Sequence, residues 1–308
     1  MRIAIVGLGG IGGYFGGRLA LHYSPGGEHE VIFVCRGEHL QAIRPHGLKV
    51  EAQDGDFVAV PSGATDAPDS IDPVDVAFYC VKGYDLASAA RSMVPATTSE
   101  TVSIPLGNGV DNDEVLRRTL GAGRVLNGCV YISSHIEAPG FVQQTGGARK
   151  LLFGASGDIE PFRGIETLLK SAGIDATLTP DIQRAVWQKF VFIDASCGVT
   201  SLHKASVGEV LADESMKTQL RTLMQEVVDL ARTRGVTLAD TAVDDALATA
   251  GSFPPATKTS MQLDFERGNR TELEVMLGFV VRTAREAGIV TPAHDEVYAA
   301  LSSRSRTP

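Results

Sequence analysis

The sequence predicts an α/β protein. An N-terminal Rossmann-type doubly wound parallel sheet with added antiparallel strands is followed by an all-α C-terminal domain. Three observations predict this. Short β-rich runs alternate with helical patterns in the first half, a glycine-rich turn follows the first run, and almost nothing after Pro180 is typical of a strand. Such alternation is typical of a parallel sheet with helices on both faces. We therefore expect domains at residues 1–180 and 181–308.

Apolar runs and turn signals locate the elements of the first domain. The predicted strands of the alternating part are Arg2–Val6, Val31–Val34, Val74–Cys80 and Thr101–Pro105, and one more strand, Ala176–Leu178, is predicted at the end of the domain. The predicted helices are Gly10–Leu21, Glu38–Arg44, Ala87–Met93 and Phe162–Ala172. Asp54-Gly55 predicts a hairpin between Leu48–Ala52 and Phe57–Val60. The closely spaced runs predicted to add antiparallel strands to the sheet edge are Val130–Ser134, Phe141–Gln144 and Leu151–Phe153, separated by Pro139-Gly140 and Gly146-Gly147.

The second domain is predicted from helical spacing of apolar residues. This spacing predicts helices over Ile182–Ser196, Met216–Arg234, Ala239–Thr249 and Leu273–Ala287. A T-x-x-E capping box between Thr271 and Glu274 predicts that the last of these begins there. Gly235 and Gly288 follow basic last turns and predict helix ends.

Composition limits the classes of function. The chain has 308 residues, enough for two domains at roughly 150 residues each. It carries 28 Lys and Arg against 37 Asp and Glu, for a formal net charge of −9. This balance argues against a nucleic-acid or anionic-membrane surface, because both need a basic patch. A small anionic ligand stays compatible, since one positive pocket can lie on a negative protein.

The sequence indicates a cytoplasmic protein. No apolar run approaches the roughly 18 residues of a membrane span. Glycines crowd the N-terminal stretch that would form the apolar part of a signal peptide. The four cysteines form no C-x-x-C pair, so thiols are expected rather than disulfides or a zinc site.

A glycine-rich turn follows the first predicted strand and begins the first predicted helix. Its residues are Gly7, Leu8, Gly9, Gly10, Ile11 and Gly12, a G-x-G-x-x-G pattern. In this pattern Gly7 makes the tight turn, Gly9 lets the backbone approach a pyrophosphate, and Gly12 lets helix and strand pack closely. The helix N-terminus attracts the anion. The turn therefore predicts a dinucleotide site.

The end of the second predicted strand favours NADPH as the cofactor. An NAD site usually has Asp or Glu there, to accept from the ribose 2′-hydroxyl. This chain has Arg36 instead, with no acid until Glu38. A guanidinium can bind a 2′-phosphate through two hydrogen bonds.

Three short patterns carry candidates for the chemistry. Lys82 follows a buried strand, and Asn108 lies in a glycine-flanked loop after the next strand. Both positions are predicted at the sheet edge where ligands of open α/β sheets bind. Lys189 lies in Trp187-Gln188-Lys189-Phe190, inside the first apolar helix of the second domain.

With these residues the chain resembles the ketopantoate reductase (2-dehydropantoate 2-reductase) family over essentially its full length. The matching motifs, in order, are Gly7–Gly12, Val81-Lys82, Asn108-Gly109, Pro139-Gly140, Trp187-Gln188-Lys189-Phe190 and Ser260-Met261…Asp264…Gly268-Asn269-Arg270-Thr271-Glu272-Leu273. The last block, polar and ordered around a predicted helix start, is the most specific.

The resemblance implies NADPH-dependent reduction of a 2-oxo acid to a 2-hydroxy acid. It implies that Lys189 is the general acid and that Glu272 orients and binds the substrate. Asn108 would contact cofactor and substrate, Ser260 would contact substrate, and Lys82 would line the cofactor side. Each residue also has a purely structural interpretation. Lys189 could be a solvated helix lysine, Glu272 a first-turn capping acid and Asn108 a turn former. Ser260 could be a helix-start serine and Lys82 a surface charge.

The chain departs from the family beside the general acid. Many members carry asparagines four and eight residues after the helix lysine, where this chain has Ile193 and Cys197. These positions share a helical face with Lys189. Ser196, seven residues on, could replace one amide. Loss of such donors weakens discrimination for a substrate hydroxyl, so the reaction class is expected to survive while substrate identity stays open.

Two alternatives remain at this point. One is a reductase of a different 2-oxo or 3-oxo acid, and only substrate screening can distinguish it from a ketopantoate reductase. The other is a non-catalytic NADPH-sensing protein, against which both Lys189 and Glu272 argue. Helices such as Met216–Arg234 could bury a partner face, which leaves a homodimer open.

Overall fold

A computed structural model describes residues 1–23 and 26–305, so residues 24, 25 and 306–308 of the two predicted domains lie outside the described residues. The structure divides into two compact units. The first comprises Met1–Gly107 and Asp111–Ile182, and the second comprises Asn108–Val110 and the chain from Gln183 onward.

The first unit contains strands and helices that alternate in its first part. Its strands are β1 (Arg2–Val6), β2 (Glu30–Val34), β3 (Leu48–Glu51), β4 (Phe57–Ala59), β5 (Gly63–Thr65), β6 (Val76–Tyr79), β7 (Val102–Pro105), β8 (Arg124–Val125), β9 (Asn127–Ala138), β10 (Phe141–Gly154) and β11 (Asp175–Leu178). Its helices are α1 (Gly10–His22), α2 (Gly37–His46), α3 (Leu86–Met93), α4 (Asn112–Leu120) and α5 (Arg163–Ser171). The sequence patterns missed β5, α4 and β8.

One sheet of this unit is parallel, as predicted. Its strand order is β5-β2-β1-β6-β7-β8, and every neighbouring pair is parallel. Ile3 and Ile5 join one hydrophobic cluster, while Ala4 and Val6 join the other. Both faces of β1 are therefore buried, because successive side chains of a strand point to opposite faces. The continuous apolar run that predicted β1 follows from this burial.

The remaining strands form a second sheet, which corrects one expectation. The antiparallel pairing of β9 with β10 and of β3 with β4 is confirmed. The prediction of separate strands at Phe141–Gln144 and Leu151–Phe153 is wrong, because both belong to β10, whose register with β9 shifts around Gly146 instead of the strand ending there. The expectation that β9 and β10 extend the edge of the parallel sheet is wrong. They belong to a separate sheet of order β11-β10-β3-β4, with β9 on β10. The sequence pattern of a strand does not indicate which distant strand it pairs with, so the sheet to which each strand belongs could not be predicted from the sequence.

Helix α1 lies between these two sheets, and its glycines allow the close approach. A Cβ on Gly16 would lie 2.9 Å from the side chain of Ile5 on β1. On the other side, a Cβ on Gly13 would lie 2.5 Å from Val142 on β10, and one on Gly10 would lie 2.1 Å from the Ser134 carbonyl oxygen on β9. Glycine weakens a helix interior by about 0.5–1 kcal/mol, and here the packing requires it.

The second unit contains helices joined by loops, and its described part has no strand. Its helices are α6 (Ile182–His203), α7 (Val207–Ala212), α8 (Glu214–Thr233), α9 (Ala242–Gly251), α10 (Ser260–Glu266), α11 (Leu277–Glu286) and α12 (Pro292–Ser305). The all-α prediction is confirmed, although α6 is longer than expected and α7, α10 and α12 were missed. Gly235 and Gly288 adopt positive φ just after α8 and α11, as their positions predict.

The predicted start of α11 is wrong. The helix begins at Leu277 rather than after Thr271, so the T-x-x-E pattern does not cap it. Glu274 instead accepts hydrogen bonds from Arg282 and Tyr298. These tertiary partners outweigh the weak local preference for a capping box.

The helices within the described ranges include none with the length and apolar character needed to cross a membrane.

Candidate functional site

The glycine-rich turn joins β1 to α1 in the geometry that its sequence predicts. Gly7 has φ +94°, and its N–H donates to the Val34 carbonyl at 2.9 Å. A Cβ on Gly12 would lie 1.9 Å from the Gly7 carbonyl oxygen. Gly9 has nothing within 4 Å of the position of a Cβ. Gly7 and Gly12 are thus required by the backbone, while Gly9 leaves space that a ligand can approach.

The start of α1 suits an anion. Gly9 is its N-cap residue and supplies no side-chain hydrogen bond to the first turn. The N–H groups of a helix's first turn lack partners within the helix, so an anionic ligand can accept from them. Leu8 is buried, and Ile11 packs partly buried against the core, which anchors the turn on either side. The turn therefore fits the phosphates of a dinucleotide.

Arg36 and Lys82 follow the two strands that flank β1. Arg36, two residues after the end of β2, is the N-cap residue of α2, and its side chain is 85% exposed. One guanidinium nitrogen lies 3.5 Å from Asp85 Oδ2. Lys82, half-buried, begins the short turn after β6. Because β2, β1 and β6 are adjacent parallel strands, their carboxyl ends bring Arg36, the glycine-rich turn and Lys82 to one sheet edge.

Lys189 and Asn108 are in direct contact within the second unit. Lys189 Nζ donates to Asn108 Oδ1 at 2.9 Å, and both side chains are partly buried. Lys189 lies on α6, and its chain neighbours Trp187 and Phe190 are buried. Those rings contact each other edge to face and both contact Phe279. The amine is therefore partly buried and held by an amide, unlike a solvated helix lysine.

Glu272 is buried, with only 3% of its surface exposed. The expectation that it lies in the first helical turn after Thr271 is wrong, because it precedes α11 in a series of turns. Burial raises the pKa of Cys197 to about 12, and the charges of Asp194 and Glu272 act in the same direction. Cys197 is therefore a protonated thiol close to two carboxylates, without the character of a nucleophile.

The two candidate serines differ in their surroundings. Ser260 is exposed and is the first residue of α10. Its neighbour Thr259 caps that helix and shares a 2.8 Å hydrogen bond with Thr200 on α6. Ser196 is buried, and its hydroxyl has no hydrogen-bond partner among the described residues. Ser196 is thus not bonded to Lys189, although a partly buried Ile193 and a fully buried Cys197 flank it on α6.

A buried charged triad supports the helix of Lys189, and the sequence analysis missed it. His294 on α12 contacts Asp194 Oδ2 on α6 at 2.8 Å and Glu226 Oε2 on α8 at 2.6 Å. Burial alone would lower the pKa of His294, but its hydrogen bonds to Asp194 and Glu226 raise it to about 9. No local motif signals the triad, because His294 lies 68 and 100 residues from its partners.

Known proteins match the chain over almost its whole length. The family described as ketopantoate reductase PanE/ApbA matches residues 3–157, and its C-terminal part matches residues 181–305. A 2-dehydropantoate 2-reductase of Halobacterium salinarum is 31% identical over 296 residues, 95% of each chain. The uncharacterized oxidoreductase YkpB of Bacillus subtilis is 28% identical over 307 residues, 98% of each chain.

Solved structures share the fold. A PanE/ApbA family ketopantoate reductase from Ralstonia eutropha JMP134 matches with a TM-score of 0.90 at 28% identity, over 99% of this chain and 98% of that chain. D-mandelate dehydrogenase, solved with NADH and anilino(oxo)acetate, matches at TM-score 0.86 and 18% identity over 99% and 98% of the two chains, which shows the fold alone. Since the two family matches span most of the sequence, the chain belongs to the ketopantoate reductase family and is an oxidoreductase.

Proposed function

We propose that this chain catalyses the NADPH-dependent reduction of 2-dehydropantoate to pantoate, a step of pantothenate and coenzyme A biosynthesis. Residues 1–180 would bind NADPH, and residues 181–308 would supply the substrate and catalytic groups. The observation that carries the proposal is the amine of Lys189 held at 2.9 Å by Asn108. The Halobacterium salinarum relative, named a 2-dehydropantoate 2-reductase, supports the choice of substrate.

The cofactor assignment rests on the glycine-rich turn and Arg36. The open space at Gly9 and the N-terminus of α1 suit a pyrophosphate. Arg36, exposed where β2 ends, can bind a 2′-phosphate through two hydrogen bonds, whereas a carboxylate would repel it. When bound, NADPH supplies the hydride. Lys82 would line the cofactor side of the site.

Lys189 would act as general acid. A ketone that accepts hydride at carbon develops negative charge on oxygen, which a nearby ammonium both stabilises and protonates. In its ammonium form Lys189 carries the proton that it would donate. Asn108 Oδ1 accepts from this amine and orients it. Glu272, buried and acidic, would orient the substrate, with Ser260 and Ser196 as further substrate contacts.

The identity of the oxo acid has a second candidate because of the α6 face. Ile193 is apolar, and Cys197 is a buried thiol, so neither position offers an amide to a substrate hydroxyl. The Ser196 hydroxyl, which has no hydrogen-bond partner in the described part of the chain, could replace only one of the two amides. A 2-oxo or 3-oxo acid without the hydroxyl of 2-dehydropantoate would suit such a face.

Steady-state kinetics on a panel of 2-oxo and 3-oxo acids would test the proposal, with NADPH oxidation followed at 340 nm. We expect 2-dehydropantoate to be reduced. Lys189→Ala should lower kcat about 10²–10⁴-fold, as for loss of a general acid, with NADPH binding nearly intact. Lys217→Ala, which removes a half-exposed lysine of α8, is the control.

Three results would contradict parts of this proposal. Unchanged turnover in Lys189→Ala would remove Lys189 from its role. A much better substrate than 2-dehydropantoate would favour the second oxo acid. Binding of NADPH without oxidation by any acid would favour a non-catalytic sensor. The cytoplasmic location and a homodimer stay predictions.

A further inference from the structure

The turn between β9 and β10 contacts α2 at two positions. The Gly140 N–H donates to His39 Nδ1 at 2.9 Å. Gly140 has φ +74°, and a Cβ there would lie 2.8 Å from the Cβ of Ala42. The Gly140 carbonyl also accepts from the Lys49 N–H on β3 at 2.9 Å. The Pro139-Gly140 turn is therefore held by the second sheet and packed against α2.

His39 takes part in this contact as a neutral imidazole. Because Nδ1 accepts a hydrogen bond, the ring proton lies on Nε2. Burial lowers the pKa of His39, while contact with the Leu8 backbone acts against it. Nε2 is buried without a hydrogen bond of normal geometry to any described residue. The Leu8 backbone belongs to the glycine-rich turn, so His39 lies beside that turn as well as beside Gly140.

The position of His39 connects these contacts to Arg36. His39 is the third residue of α2, whose N-cap residue is Arg36. Only Leu40 and Ile43 of α2 are buried, and a ten-residue helix is marginal by itself. The hydrogen bond from Gly140 therefore restrains the same helical turn that presents the Arg36 guanidinium.

We infer that His39 is a positioning residue for the cofactor. Through Gly140 it holds the first turn of α2, and so places Arg36 where it can reach the 2′-phosphate. This inference rests on the proposed function, because it concerns the preference for NADPH over NADH. His39 itself need not touch the cofactor.

Titrations of NADPH and NADH, followed by nucleotide fluorescence, would test this inference on the full-length protein. His39→Leu keeps apolar bulk but removes the acceptor. His39→Asn keeps an acceptor, because its Oδ1 occupies the place of Nδ1 along the side chain. His46→Ala, in the last turn of the same helix, removes an exposed histidine and is the control.

We expect His39→Leu to weaken NADPH binding about tenfold, in keeping with one buried N–H left without its acceptor. NADH binding should change about twofold or less, and kcat at saturating NADPH should stay near the wild-type value. His39→Asn should restore the NADPH preference, and His46→Ala should match wild type. If His39→Leu does not fold, His39→Gln replaces it. The glutamine carbonyl oxygen lies one bond farther from Cβ than Nδ1 does, so it is out of place to accept from the Gly140 N–H.

Equal losses for both nucleotides, no loss at all, or no rescue by asparagine would each overturn the inference while leaving the proposed function intact. A wild-type protein that binds no NADPH would instead refute the proposed function, and the inference with it.

Discussion

Replacing His294 with leucine should strongly destabilise the helical unit. The imidazole is completely buried and joins α12 to Asp194 on α6 and to Glu226 on α8. Glu226 also accepts from the backbone N–H groups of Ala293 and His294. In His294→Leu the two carboxylates remain buried without the positive charge between them. Breaking a buried ion pair in this way costs about 3–5 kcal/mol.

The raised pKa of His294 also indicates the size of this loss in unfolding free energy. Its rise from 6.5 to about 9 reflects preferential binding of the proton by the folded state. Each tenfold change in proton affinity corresponds to about 1.4 kcal/mol, so the charged imidazole contributes about 3 kcal/mol.

The sign of the pH dependence follows from the direction of this rise. Because the folded-state pKa lies above the ordinary value, the contribution of His294 is fully present below pH 6.5 and is lost as the pH rises through about 9. Burial would raise the pKa of Glu226, but the hydrogen bond from His294 and backbone N–H groups lower it overall. Measurements above pH 6 therefore keep this carboxylate ionised.

Urea unfolding followed by tryptophan fluorescence would measure the effect. Trp187 is the chain's one tryptophan and is buried in the second unit, so its signal reports unfolding there. The difference in unfolding free energy between wild type and His294→Leu should be largest near pH 6.5 and smaller by about 3 kcal/mol above pH 9. His203→Ala, an exposed histidine at the end of α6, is the control.

Two outcomes would refute this reasoning. A difference that stays constant between pH 6.5 and 9 would mean that His294 is not charged in the folded protein. A loss below about 0.5 kcal/mol, the usual range for surface changes, would mean that the triad does not hold the three helices together.

Two further predictions concern the cofactor site. Arg36→Ala should weaken the binding of NADPH much more than the binding of NADH in equilibrium titrations, because the guanidinium would bind the 2′-phosphate. Equal losses of affinity for the two nucleotides would show that Arg36 does not bind this phosphate. Gly12→Ala should lower the free energy of unfolding by about 1–3 kcal/mol, since its Cβ would meet the Gly7 carbonyl. Gly9→Ala should leave stability unchanged, because its Cβ would meet no other atom of the protein. The same Cβ would fill the space that the dinucleotide needs and should abolish dinucleotide binding. Comparable unfolding curves for the two alanine variants would contradict this division.

Features of the fold that depend on neighbouring residues could be predicted from the sequence, whereas features that depend on distant contacts could not. The turn from Gly7 to Gly12 and the buried strand before it were predictable, because their glycine and apolar positions lie within a dozen residues. The start of α11 was not predictable. Thr271 and Glu274 match a capping box locally, but Glu274 bonds to Arg282 and Tyr298 instead.

The sequence by itself determined the parallel sheet, the dinucleotide turn and the helical second half, because periodicity and glycine placement act over short stretches of chain. Tertiary structure alone decided the second sheet, the contact of Lys189 with Asn108 across 81 residues, and that of His39 with Gly140 across 101. It also decided that His294 is a buried charge rather than an ordinary core histidine. These features depend on which distant segments pack together, and no local spacing of residue types encodes that choice.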